Sequence, residues 1–113
     1  MESQLKLDEE RLELVDKLRQ AAPDLMTKEV AVLDSIYTDG ALSHKVKRLI
    51  ALGIALRVGC INCILHHTIE ALKAGATKDE FLEAISVELA MTGTSGIGES
   101  LRVVKILEEK GVW

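Results

Sequence analysis

Cys60-Ile61-Asn62-Cys63 places two thiols three positions apart, and His67 follows Cys63 by four. A thiol reacts as its thiolate, so a working cysteine needs something that lowers its pKa. Gly59 precedes the pair where one helix is expected to stop and another to begin. The free N–H groups of a first helical turn, with the positive end of the helix dipole, favour an anion at Cys60. Residues three apart share a helix face, so a small adjustment can bring the two sulfurs to bonding distance. His67 lies on the same stripe, where it can take a thiol proton or, when charged, hold a thiolate. The expected chemistry is thiol–disulfide redox.

The neighbouring side chains admit plainer readings. Glu70 continues the stripe and can orient the imidazole, or serve as a surface carboxylate. His66 can reach the Cys63 thiol or lie on a solvated helix face, and His44 reads as exposed. The apolar face of the helix is offset from the cysteine stripe, which argues against core packing for the pair. Zinc is poorly served, because Cys60, Cys63 and His67 supply three ligands and no second CxxC closes a tetrahedral site. The glycines from Gly93 to Gly98 follow no strand and have no P-loop lysine. They read as a helix-to-helix bend with an option for close packing. No metal or cofactor is expected.

The elements that must hold these residues are helical. Leu5, Leu12, Val15 and Leu18 mark one face of a first helix, which Pro23 breaks. A second runs from about Leu25 to Tyr37 and ends at the turn Thr38-Asp39-Gly40. Ser43 caps a third that stops near Gly59. The fourth runs from about Cys60 to Gly75 with Ile61, Leu65, Thr68 and Leu72 inward. Thr77 and Glu80 form a capping box for a fifth, carrying Phe81, Leu82, Ile85, Leu89 and Ala90. A last helix turns Leu101, Val104 and Leu107 inward. Strand signals are nearly absent. The expectation is an all-α domain of about six helices over residues 1–113.

The 113 residues leave little room for a second domain, and 48% of them are hydrophobic against 3% aromatic. One core of this size hides limited surface, so burial between subunits is expected. A net charge of -4 without a basic stripe argues against nucleic acid. No apolar run spans a bilayer, and Met1-Glu2-Ser3-Gln4 does not open like a signal peptide. A cytoplasmic protein is expected. Two close cysteines there are not a structural disulfide framework.

Three stretches together resemble the carboxymuconolactone decarboxylase superfamily. They are Asp39 to Leu52 (DGALSHKVKRLIAL), Gly59 to Cys63 with His67, and Ala71 to Thr77 with Glu80. The resemblance covers about residues 23–93, and CxxC followed by histidine is similar to the alkylhydroperoxidase D-like branch. It implies an all-helical fold assembled as a homotrimer or homohexamer. It further implies reduction of a hydroperoxide or disulfide substrate, with electrons from a dithiol donor. By position, Cys63 is the thiol oxidised to sulfenic acid, Cys60 donates a proton and then resolves the disulfide, and His67 is the relay histidine. The helix-dipole argument alone favours Cys60 as the more acidic thiol, so the two routes differ on roles. Arg48 stands where the family's peroxidases carry glutamate, and Asn62 where they carry histidine. Arginine cannot accept a proton, although its charge can lower a thiol pKa. A redox dithiol with weak or altered peroxidase activity is expected. The alternatives are a lactone-decarboxylating lyase, in which the cysteines stand idle, and a non-catalytic oligomeric redox sensor.

Overall fold

A computed structural model describes residues 1–113 as six α-helices and no strand. They are α1 (Gln4–Ala21), α2 (Pro23–Ile36), α3 (His44–Val58), α4 (Ile61–Lys73), α5 (Lys78–Thr92) and α6 (Thr94–Glu109). The all-helical expectation holds.

Local chemistry sets most of the boundaries. Ser43 Oγ accepts the Val46 N–H at 3.1 Å and Asp39 Oδ1 accepts the His44 N–H at 2.7 Å, so α3 starts with two side-chain caps. Gly59 ends α3 in the left-handed region at φ 76°, a conformation that costs glycine little. The Thr77–Glu80 capping box opens α5, and Lys45 on α3 pairs with Glu80 at 2.9 Å. Lys47 Nζ donates to the carbonyls of Ile36 and Thr38, each at 2.8 Å, tying the end of α2 to α3.

Helix α3 packs on α4 and α5, with α6 behind them and α1 across α4 and α6. The core is built from Leu52, Ala55, Leu56, Ile64, Ala71, Phe81, Val103 and Leu107. Among the helices, α2 packs on α1 alone. Between α3 and α5 an apolar groove of about 660 Å³ is lined by Ile50, Ile54, Val87 and Met91.

Several inward faces differ from the expected ones. Ile61, Leu82, Ala90 and Leu101 are exposed, whereas Ile64, Val103 and Ile106 are buried. On α1 the buried residues are Gln4 and Asp8, while Leu12 and Leu18 face out. Gln4 fits because its Oε1 accepts from Arg102 Nη1 at 3.1 Å and its backbone N–H donates to Glu109 at 3.0 Å. Only Gly93 is a bend, with φ 68°; Gly96 and Gly98 lie inside α6. The close-packing option holds at Gly96, whose Cα is covered by the buried Glu88 carboxylate. No helix is long and apolar enough to cross a membrane.

Candidate redox site

Cys60 is the N-cap of α4, with its Sγ accepting the Cys63 N–H at 3.3 Å. The chain arrives there because Gly59 turns it out of α3. Both the Gly59 and Cys60 amides donate to the Ala55 carbonyl, at 2.9 and 3.2 Å. Cys60 and Cys63 are joined as a disulfide with Cα atoms 5.3 Å apart, inside the range such bonds need. Both are partly exposed, and Cys63 also packs against the main core, contrary to the expected separation of the pair from core packing. Leu49 of α3 and Leu72 of α4 pack against the same core cluster.

One turn further along α4, His66 and His67 meet Arg48 of α3. Arg48 Nη1 lies 3.3 Å from His67 Nδ1 and 3.4 Å from His66 Nε2. Its Nε donates to His44 Nε2 at 3.0 Å, and its guanidinium lies 3.9 Å from the centroid of the Tyr37 ring. Tyr37 in turn faces His67 with ring centroids 5.5 Å apart. His66 Nδ1 is 3.5 Å from Arg11 Nη2 on α1, and Arg11 pairs with Asp8 at 2.8 Å.

These contacts act on the histidines in one direction. Burial, then the neighbouring His66, then Arg48 hold His67 at a pKa of about 4. Burial and the two guanidiniums also lower His66. His67 is therefore neutral at pH 7, and contact with an arginine donor makes Nδ1 its acceptor nitrogen. Burial works to raise the Glu70 pKa, but the hydrogen bond and charge of Lys73 outweigh it and leave the carboxyl lowered. That carboxylate is bonded to Lys73 Nζ at 3.0 Å rather than orienting His67.

Of the residues singled out from the sequence, Cys60 and Cys63 meet at the start of α4, and His66 and His67 one turn further on meet Arg48 of α3. Asn62 is exposed, without a side-chain hydrogen bond. His44, expected to be exposed, is half-buried as an acceptor for Arg48. Sequence reasoning missed Arg11 and Tyr37. Tyr37 follows α2 immediately, where its periodic spacing suggested only packing. Arg11 is one basic residue in a charged helix and carries no spacing signal.

Residues 23–105 match the carboxymuconolactone decarboxylase family, and the chain belongs to it. Over 79 residues, 70% of each chain, it is 37% identical to an uncharacterized protein of Cupriavidus necator. A family protein of Legionella pneumophila has a crystal structure similar at a TM-score of 0.90, with 28% identity over 96% of this chain and 97% of that one. A Thermotoga maritima family protein, described as a possible participant in an antioxidative response, is similar at a TM-score of 0.68. Its identity is 34% over 77% of this chain and 91% of that one.

Proposed function

We propose that the chain is a thiol–disulfide oxidoreductase of the alkylhydroperoxidase D-like kind, reducing a hydroperoxide or a disulfide through Cys60 and Cys63. The observation that carries this reading is the bridged pair at the start of α4, with Cys60 as the cap. In the reduced protein the Cys60 sulfur sits where backbone N–H groups and the helix dipole stabilise a thiolate.

The cycle runs in three balanced steps. The Cys63 thiolate attacks the peroxide, the O–O bond breaks, and an alcohol leaves with a proton, giving Cys63 sulfenic acid. The Cys60 thiolate attacks that sulfur, the S–O bond breaks, and hydroxide takes a proton to leave as water. A dithiol donor then reduces the disulfide by two electrons and two protons through a mixed disulfide. This order follows the family for Cys63 as the attacking thiol and uses the helix-dipole argument only for Cys60 as the resolving thiolate. His67, held near a pKa of 4, is a weak base at pH 7, and Arg48 accepts no proton. Peroxide turnover is therefore slow relative to a site whose general base titrates near the working pH.

Hydroperoxide consumption tests the reading. Wild-type protein turns over with dithiothreitol; Cys60→Ser, reduced and then freed of dithiothreitol, consumes one equivalent and is trapped by dimedone as a Cys63 sulfenic acid; Cys63→Ser consumes none. A Cys63→Ser variant indistinguishable from wild type removes the redox function.

A further inference from the structure

Arg48 is a guanidinium with no carboxylate beside it. Its acceptors are His44 Nε2, His66 Nε2 and His67 Nδ1, and its flat face rests on Tyr37. The acids nearby are used elsewhere: Asp8 is paired with Arg11 and Glu70 with Lys73. His66 is more constrained still. Its Nε2 faces Arg48 at 3.4 Å and its Nδ1 faces Arg11 at 3.5 Å. A neutral imidazole has one acceptor nitrogen and one N–H, and an imidazolium has no acceptor. At least one of the two guanidiniums therefore confronts an N–H at His66. Asp8 and Glu70 both act on His66, but they are paired with Arg11 and Lys73, so Arg48 itself has no bonded carboxylate.

We propose that Arg11 and Arg48, either side of His66, form an anion subsite that selects carboxylate-bearing oxidants for the adjacent disulfide centre. A carboxylate supplies two acceptor oxygens in the plane that a guanidinium fork recognises. It would accept from the guanidinium that His66 cannot satisfy and offset the charge of Arg48. The subsite lies one turn along α4 from Cys63, so a ligand with its acid anchored here and a peroxide or disulfide group within a few bonds presents that group to the sulfurs. As a statement about substrate class it rests on the redox reading above, whereas the binding of the anion does not.

The experiment separates the two. The oxidised protein is titrated calorimetrically with octanoate, 1-octanol and inorganic phosphate. Octanoate binds, octanol binds at least about tenfold more weakly, and rising ionic strength weakens octanoate alone. Arg11→Gln and Arg48→Gln each lose about tenfold in octanoate affinity. Arg11→Lys, which keeps the charge, loses the fork and is the gentler change for folding, retains only part of it. Equal affinity for octanol, or full octanoate affinity in a folded Arg11→Gln protein, overturns the subsite. Phosphate binding as tightly as octanoate overturns the choice of carboxylate. In turnover, kcat/KM for a carboxylate-bearing hydroperoxide exceeds that for its methyl ester, and the ratio falls about tenfold in Arg11→Gln. Octanoate binding with neither hydroperoxide turned over and no carboxylate-bearing disulfide reduced leaves the anion subsite standing and defeats the redox reading instead.

Discussion

Neutral His67 is cheaper for the folded protein than charged His67, and this gives the molecule an acid-labile point. In the unfolded chain an exposed histidine titrates near its ordinary value of 6.5, against about 4 here. Above pH 6.5 both states hold the ring neutral and the fold keeps its full stability. As pH falls from 6.5 toward 4, the unfolded chain binds the proton first, so stability declines. His66, lowered for similar reasons, adds to the fall. Glu70 is lowered as well, and its contribution is lost only further into acid. Melting temperature measured from pH 8 to 4 should therefore drop from about pH 6.5 downward, and His67→Gln should flatten the upper part of that curve. Arg48→Glu places a carboxylate where the family's peroxidases have one. Turnover of an uncharged hydroperoxide should rise about tenfold or more if that group serves as base. CxxC and His67 were legible because their spacing is itself the signal. Arg11 was not, because only folding brings α1 against a residue 55 positions away.

At the scale of elements, caps read well and faces did not. Ser43, Gly59 and the Thr77–Glu80 box act over a few residues, and all were in place. The face of a helix depends on what lies beside it, and α6 has a broad apolar arc: Leu101 at its edge faces out while Val103 and Ile106 face in. Period alone cannot choose between two apolar stripes. The buried Gln4 and Asp8 ran further against expectation, since their partners Arg102, Glu109 and Arg11 lie in other parts of the chain or register. One contact between elements invites a direct test. A Cβ on Gly96 would overlap the buried Glu88 carboxylate, which must then give up its bond from Thr92 Oγ1 and turn toward the α3–α5 groove. Gly96→Ala should cost about 1–3 kcal/mol by denaturant unfolding, despite alanine's better helix propensity. Gly98→Ala meets nothing within 4 Å and should be neutral or stabilising. In a Glu88→Ala background Gly96→Ala should no longer be harmful.

For the whole molecule, the outer surface is the feature that one chain does not explain. Leu25, Val32 and Ile36 on α2, Ile50, Ile54 and Val58 on α3, and Val87 and Met91 on α5 are all exposed. The sequence foretold this surplus from its composition, since the apolar content exceeds what a core this small can hide. Assembly of several copies is our reading of it. Ile54→Glu puts a charge in the middle of the α3–α5 groove and should lower the sedimentation mass toward the monomer. A wild-type protein that sediments as a monomer at every concentration defeats the idea.

Because Cys60 Sγ is at once half of the bridge and the acceptor that caps α4, each electron pair moved through the site rewrites the beginning of a helix. The bridged sulfur is a feeble acceptor, while a thiolate in the same place is a charged one. Reduction should thus tighten the first turn of α4 and oxidation loosen it. The Cys63 amide becomes a gauge of redox state: its hydrogen exchange should slow in the dithiol form and quicken in the disulfide form.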